Sequence, residues 1–291
     1  MKTILVTGSN GFTGKFIKDI FQDKGYRVVG LSLHSSRQGE YSCDLTDKSS
    51  IRPIIREIKP SGVIHLAALS FVAHKKPDEF YTVNVLGTQN LLEVLDEENI
   101  TPDKILIASS ANVYGNPESE NVTEEAEPNP VNQYAQSKLD MEKMVKKWFG
   151  RYKIIITRPF NYTGPGQDKK FLVSKIVDHY RRNEPVIELG NIDIHRNFSD
   201  VRDIARAYLI LFESSVKSEI INLSSGEVFS IKDIINMMDK IAGYKIKVKI
   251  NQNFVRKNDI RILNGSNTKL KTLTGFTPEY TLETTLRDMY A

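Results

Sequence analysis

The chain has 291 residues, 40% hydrophobic and 26% charged, an ordinary globular composition long enough for one large domain or two smaller ones. Forty Lys and Arg against 36 Asp and Glu give a net charge of +4, and no dense basic block carries interleaved aromatics. Nucleic acid is therefore not the expected partner, whereas an anionic small molecule fits the slight basic excess. Cys43 is the only cysteine, which excludes an internal disulfide and a cysteine zinc cluster and suits a reducing cytoplasm. Residues 2–7 read directly as a strand rather than a leader, and no apolar run approaches the roughly 20 residues of a membrane span. A cytoplasmic protein without a membrane partner is expected.

In chain order, residues 3–6 read as a buried strand, followed by a helix over 12–24 that ends at Gly25. Further strands are expected at 27–31, 62–66, 104–108 and 153–157, the last after a helix over 132–149. β-Branched runs alternating with amphipathic helices predict an α/β fold, a doubly wound parallel sheet of the Rossmann kind. Ligands then sit outside the carboxyl ends of the strands. Beyond Arg158-Pro159 the rhythm loosens into shorter elements, with helices near 169–182 and 203–212. The division expected is a dinucleotide-binding domain over 1–160 plus about 201–225. A smaller, mixed substrate lobe then takes about 161–200 plus 226–291.

Gly8-x-x-Gly11-x-x-Gly14 joins the first strand to the first helix. In that position the glycines permit a tight turn, a close approach of backbone to a pyrophosphate, and close packing of helix on sheet. Gly8, Asn10, Gly11, Phe12, Thr13 and Gly14 are thus candidates for holding a dinucleotide. After the second strand comes Leu31-Ser32-Leu33-His34-Ser35-Ser36-Arg37, with no carboxylate for a ribose 2′-hydroxyl. Hydroxyls such as Ser32, an imidazole and Arg37 would accept a 2′-phosphate, so NADP(H) is favoured over NAD(H). Asp44 is placed to accept from an adenine amino group and Leu45 to pack on the ring, while Asp47 is expected to cap the helix that follows.

Tyr134 and Lys138 stand four residues apart, on one face of a helix. The ammonium is expected to lower the phenol from its usual pKa of about 10 and make it an acid–base group for a carbonyl or alcohol. Ser110, after the fourth strand, can hydrogen-bond the same oxygen. A tuned tyrosine beside a dinucleotide suggests hydride transfer. The five histidines show no metal-ligand spacing, and His65, at a strand end, is expected to be packed rather than catalytic.

These pieces together resemble the extended short-chain dehydrogenase/reductase family, in the branch acting on nucleotide-linked sugars. The resemblance runs over essentially the whole chain. It adds His65-Leu66-Ala67-Ala68, Asn84-Val85-x-Gly87-Thr88, Arg158-Pro159-Phe160-Asn161, Gly164-Pro165-Gly166-Gln167, Arg196-Asn197-Phe198 and Asp200-Val201-x-Asp203 to the motifs above. It implies that Ser110, Tyr134 and Lys138 form a catalytic triad, with Lys138 also on the nicotinamide ribose. Leu66, Ala67 and Ala68 would line the nicotinamide side. Asn161 would meet the sugar nucleotide near its diphosphate, and Arg196 and Arg256 its phosphate or ribose. A homodimer is implied as well.

Dehydratases of the family carry acid–base groups just after the Ser/Thr, where this chain has Ala111 and Asn112, so elimination of water is not expected. The tail from Phe254 to Leu270 resembles the reductases of GDP-4-keto-6-deoxy-mannose, although Lys257-Asn258 stands where Pro-Ser is usual. The expected activity is therefore NADPH-dependent reduction of the C4 ketone of a nucleotide-linked 4-keto-6-deoxyhexose, with GDP the favoured carrier. An NAD-dependent nucleotide-sugar 4-epimerase and a non-catalytic NADP-binding regulator are the alternatives.

Overall fold

The computed structural model describes residues 1–34, 39–70, 76–117, 119–255 and 262–291. With strands numbered along the chain, the main sheet is built from β1 (Thr3–Thr7), β2 (Arg27–Ser32), β3 (Glu40–Ser42), β4 (Gly62–His65), β5 (Lys104–Ala108), β7 (Ile154–Pro159) and β12 (Glu219–Leu223). Their order is β12-β7-β5-β4-β1-β2-β3, and every pairing is parallel. The order reverses at β1, which has β2 on one side and β4 on the other. A parallel sheet of this order opens a ligand crevice at that switch point.

Side chains along a strand alternate between faces, and here both faces are apolar. Leu5, Val63, Ile105, Ile107, Ile154 and Ile156 point into one core, with Ile51 and Ile55 of α2 (Lys48–Ile58), Leu91 and Leu95 of α4 (Gly87–Glu97) and Met141 of α5 (Gln133–Lys146). Ile4, Val6, Ile64, Leu106 and Ile155 point into the other, with Ile17 and Phe21 of α1 (Phe12–Asp23) and Tyr208 and Leu211 of α7 (Val201–Glu213). α3 (Pro77–Tyr81) runs into α4 through a π-helical turn, Thr82–Leu86.

A third core is separate from the sheet. α6 (Leu172–Arg181), α8 (Ile231–Ala242) and α10 (Leu282–Tyr290) meet over Ile176, Tyr180, Ile234, Met238 and Leu286, with Ile187 from β9 (Val186–Leu189), which pairs with β14 (Lys247–Ile250). Short strands join it to the sheet: β8 (Tyr162–Thr163) pairs with β11 (Ser199–Asp200). β13 (Phe229–Ser230), β10 (His195–Arg196), β15 (Ile262–Gly265) and β6 (Asn121–Val122) form a small mixed sheet. α9 (Thr268–Thr274) packs Leu270 back into the second core. Among the described residues no helix is long and apolar enough to cross a membrane.

Helix α1 lies so close to the turn before it that a Cβ on Gly14 would overlap the Gly8 carbonyl and come within 2.8 Å of Ser9 Cα. Backbone on both sides leaves no flexible neighbour to yield. Gly14→Ala should therefore cost about 1–3 kcal/mol, the range for forced overpacking. Gly150→Ala, which has open space and no left-handed φ, should change stability by less than about 0.5 kcal/mol. Urea unfolding of the two variants checks both values.

Candidate active site

The turn after β1 is shaped by its backbone. Gly8 has φ +68°, and a Cβ there would stand 2.9 Å from Ala67 N and 3.0 Å from Ala67 Cα. The turn thus rests directly on the end of β4, at the switch point. Helix α1 begins with Gly11 as N-cap, no capping side chain and no acidic residue in its first turn. Its first N–H groups and the positive end of its dipole are left for an anion. Asn10 donates through Nδ2 to Ser32 Oγ (2.9 Å) and to the His34 carbonyl (3.3 Å), fixing the ends of β1 and β2 together. Its Oδ1 is buried and without a partner among the described residues. A bare turn, open N–H groups and an unused acceptor fit a dinucleotide.

Beneath the turn runs a connected set of buried hydrogen bonds. Ala67 N–H donates to Thr7 Oγ1 (3.2 Å), and the Thr7 hydroxyl meets His65 Nδ1 (2.8 Å). His65 Nε2 meets Thr88 Oγ1 (2.8 Å), which donates to the Asn84 carbonyl (2.7 Å). Because the Thr88 proton is committed to Asn84, Nε2 carries the imidazole proton and Nδ1 accepts from Thr7. Asn84, in the π-helical turn, accepts from Leu69 N (2.9 Å) and donates to Ser137 Oγ (3.0 Å), and Ser137 donates to the Tyr134 carbonyl (2.8 Å). Burial, with Lys138 nearby, lowers the His65 pKa to about 3. The ring is packed and hydrogen-bonded, not set up for acid–base work near neutral pH.

Helix α5 starts at an Asn132 cap whose side chain accepts from Ala135 N. Tyr134, Lys138 and Glu142 follow at one-turn spacing, all buried. Ser110 caps the 3-10 turn Ala111–Tyr114 after β5, accepting from Asn112 N (3.2 Å), and its side chain is near enough to Tyr134 to act on the phenol. Lys138 Nζ donates to the Ala108 carbonyl (2.7 Å). The three groups expected from the sequence are thus gathered at the carboxyl end of β5.

Their electrostatics differ from expectation in one respect. Burial pushes the Tyr134 phenol up to about 12, with the Ser110 hydroxyl opposing and Tyr162 adding to the rise. The net lowering expected from Lys138 is not found: its ammonium donates to the Ala108 carbonyl, and desolvation of the phenolate decides the direction. Lys138 is itself brought down to about 8 by burial, partly offset by Glu142. Glu142 accepts from Ser109 Oγ (2.5 Å) and forms a two-pronged pair with Arg158 Nε (2.9 Å) and Nη2 (2.6 Å). The Arg158 guanidinium lies 4.7 Å from the centre of the Tyr114 ring, and Tyr114 donates to Asn222 Oδ1 (2.7 Å).

Other expected residues are placed as follows. Leu66, Ala67 and Ala68 follow β4, half-buried, with the Leu66–Ala67 backbone against Gly8. Asp44 folds onto its own turn, accepting from Thr46 N (2.9 Å) and Thr46 Oγ1 (2.7 Å). Leu45 is buried in the first core, where its Cβ faces Gly87. Asp47 caps α2 as expected. Asn161 is exposed between β7 and β8, and Arg196 is buried with Nη1 donating to the His195 carbonyl (2.8 Å). Arg37 and Arg256 lie outside the described residues. Sequence reasoning missed Glu142 and Tyr162, and it singled out Asn84 within a motif without giving it a role. Glu142 continues the four-residue spacing of Tyr134 and Lys138 and could have been found that way.

A doubly wound sheet with a glycine turn at its switch point and a Ser–Tyr–Lys cluster at β5 defines an extended short-chain dehydrogenase/reductase. The family model described as GDP-mannose 4,6 dehydratase matches residues 5–289, and the chain belongs to that family.

It is 35% identical to the GDP-6-deoxy-D-talose 4-dehydrogenase of Aggregatibacter actinomycetemcomitans, over 99% of this chain and 96% of that protein. It is 30% identical to the GDP-6-deoxy-D-mannose reductase of Pseudomonas aeruginosa, over 98% and 94%. Among solved structures, a candidate epimerase from Burkholderia cenocepacia superposes with TM-score 0.93 at 41% identity, covering 99% of this chain and 97% of that one. RMD from Pseudomonas aeruginosa complexed with NADPH gives 0.88 at 30%, covering 100% and 98%. A UDP-glucose 4-epimerase from Thermus thermophilus complexed with NAD gives 0.88 at 26%, covering 99% and 97%.

The hydrogen-bond run fixes the state of His65. Nitrogen NMR should find it neutral, protonated at Nε2, with no titration from about pH 8 down to about 5. Thr88→Val should cost about 1–3 kcal/mol by stranding the Nε2 proton. A ring that titrates near its ordinary value would contradict the assignment.

Proposed function

We propose that the protein reduces the C4 ketone of a GDP-linked 4-keto-6-deoxyhexose, using NADPH. The observation that carries the reading is the buried cluster of Ser110, Tyr134 and Lys138 beside an open glycine turn, in a chain related over nearly its whole length to a 4-dehydrogenase of GDP-6-deoxy-D-talose and a reductase named for GDP-6-deoxy-D-mannose. One relative is named a 4-dehydrogenase and the other a reductase, which are opposite directions of a hydride transfer. The two sugars, 6-deoxytalose and 6-deoxymannose, differ in configuration at C4. A shared 4-ketone reduced from opposite faces gives both, so the face presented decides the product.

The turn from Gly8 to Gly14 would hold the cofactor's diphosphate, and Ser32 and Asn10 stand where its adenosine ribose would lie. The lack of a carboxylate on the described end of β2 and the NADPH in one solved relative favour NADP(H); the NAD in the epimerase structure marks the competing choice. Bound there, the cofactor supplies the hydride. The Tyr134 phenol, held protonated by burial, gives its proton to the oxygen developing at C4. Ser110 shares that oxygen's hydrogen bonding and steadies the phenol. Lys138, fixed on Ala108, offers positive charge beside both. The third core, with Asn161 and Arg196 on its approach, is the proposed nucleotide-sugar lobe. Ala111 is buried and Asn112 is exposed, and neither carries a titratable proton, so the site lacks the extra acid and base that elimination of water requires. A homodimer is the proposed assembly.

Following NADPH absorbance with 4-keto-6-deoxy sugars on GDP, dTDP, CDP and UDP tests the reading. Oxidation with the GDP sugar is expected; no oxidation with any carrier, together with copurifying NAD, would favour the 4-epimerase. Tyr134→Phe should lower turnover at least about 100-fold while NADPH binding stays within about twofold.

A second expectation concerns pH. The Lys138 ammonium is present below about pH 8 and lost above it, so kcat/KM should fall on the alkaline side with a midpoint near that value. Glu142 supports that charge, so Glu142→Gln should move the midpoint to lower pH. An unmoved midpoint would assign the limb to another group.

A further inference from the structure

Tyr162 lies where the third core meets the dinucleotide turn, and the proposed mechanism does not use it. Its hydroxyl is 2.8 Å from Thr13 Oγ1, in the first turn of α1. Its ring stacks on Phe12, with centroids 6.1 Å apart and planes 7° from parallel. Its backbone belongs to the other side. β8 pairs with β11, and the Tyr162 carbonyl accepts from Gln167 Nε2 (3.2 Å). Gln167 Oε1 in turn accepts from Thr163 Oγ1 (2.7 Å) and from Ser174 Oγ of α6 (3.1 Å). Thr163 also reaches Met289 Sδ of α10 (3.6 Å). One side chain thus reaches the N-terminus of α1 from a strand whose neighbours, Thr163 and Gln167, touch the helices of the third core.

The direction of the Tyr162–Thr13 bond follows from acidity. A phenol is a stronger donor than an aliphatic alcohol, and the threonine hydroxyl has one proton and two lone pairs. If Tyr162 donates, the Thr13 proton is free to be given elsewhere, and it stands beside the open N–H groups of the same helix turn, where an anion would lie. If Tyr162 is removed, the Thr13 hydroxyl loses the partner that orients it.

We propose that Tyr162 is a positioning residue that couples the two halves of the site: its hydroxyl donates to Thr13 Oγ1 and so presents the threonine proton to the cofactor's diphosphate. The proposal rests on the dinucleotide reading given above. Because the tyrosine's backbone is carried by β8, beside Asn161, a ligand that orders this strand also orders Thr13. Cofactor and nucleotide then raise each other's affinity by the same factor.

The test is a double-mutant cycle on NADPH affinity, read by cofactor fluorescence with and without GDP. Tyr162→Phe keeps the ring and its stack on Phe12 and removes only the hydroxyl. It should weaken NADPH binding about three- to tenfold, the worth of one ordinary hydrogen bond. Thr13→Val should weaken it by at least as much, and the double variant should bind no worse than Thr13→Val alone. Thr13→Ser, which restores a hydroxyl, should recover most of the affinity. In the wild type GDP should tighten NADPH binding, and in Tyr162→Phe that enhancement should be lost.

Wild-type affinity and wild-type GDP enhancement in Tyr162→Phe would overturn the coupling, as would losses that add in the double variant. Thermal melting of each apo variant guards against reading misfolding as weak binding; Thr13→Ser then decides, since a folded Thr13→Ser that binds like Thr13→Val also overturns the proposal. Wild-type protein that binds neither NADPH nor NADH would overturn the dinucleotide reading beneath it, an outcome distinct from normal wild-type binding with an unaffected Tyr162→Phe.

Discussion

The site is organised around one run of hydrogen bonds, from the Ala67 amide through Thr7, His65, Thr88, Asn84 and Ser137 to the Tyr134 carbonyl. It crosses β1, β4, the π-helical turn, α4 and α5, the elements that have to agree if the glycine turn and the tyrosine are to face one another. A buried polar group left unpaired costs about 1–3 kcal/mol, so a run with every link made holds its members in one arrangement far more strictly than apolar contact would. The π-helical turn has a use in this setting. An extra residue in a helix shifts the side chains that follow it, and Asn84 at that point engages the Leu69 backbone on one side and Ser137 on the other. The sheet supplies the platform, and the polar run fixes how the tyrosine helix is set upon it.

A second buried constraint works alongside. Glu142 and Arg158 are almost fully removed from water, and such pairs gain little net stability because desolvation cancels much of their attraction. Their position is more informative than their energy. Glu142 holds Ser109, and Ser109 lies between Ala108, which accepts from Lys138, and Ser110, whose hydroxyl acts on Tyr134. The carboxylate also opposes the fall in the Lys138 pKa from one helical turn away. Negative charge under the lysine and a tied β5 turn keep the ammonium and the serine in register. The raised Tyr134 phenol is consistent with this arrangement. In a dry pocket the lysine is turned to a carbonyl, and the tyrosine rests in its proton-donating form, the form a ketone reduction requires.

Much of this was legible in the residues. Strands expected at 3–6, 27–31, 62–66, 104–108 and 153–157 fall within a residue or two of β1, β2, β4, β5 and β7, because strands covered on both faces need uninterrupted β-branched runs. The helix expected from 169 begins at Leu172 instead, since Asp168 takes the Lys170 amide and holds the chain in a turn. The glycine turn and the four-residue step from Tyr134 to Lys138 were readable because each is local. The direction of the tyrosine's pKa was not. It depends on how much water the fold removes and on where the lysine points, and neither is a property of spacing. Leu45 was open to two readings for a similar reason: an apolar residue beside a binding loop is as well suited to the core, and the packing of α4 through Gly87 takes its side chain there.

The same distinction separates the two ends of the site. The cofactor end rests on long strands whose pattern carries over many residues. The third core reaches the site through β8, β10 and β11, two residues each, too short for any periodicity. They exist because side chains hold them. Asn197 donates to the Glu227 carbonyl (2.6 Å) and to Asn264 Oδ1 (2.9 Å) and accepts from Gly265 N (2.6 Å), joining three distant stretches of chain. Gly265 itself has to be glycine, since a Cβ there would overlap the Phe160 ring. In the proposed reaction, Ser110, Tyr134 and Lys138 handle the proton and leave the orientation of the sugar to other residues. On the proposed reading, which face of a C4 ketone meets the hydride is therefore set by this second set of contacts, assembled from residues far apart along the chain, and it is the part of the function that short-range sequence pattern is least able to show.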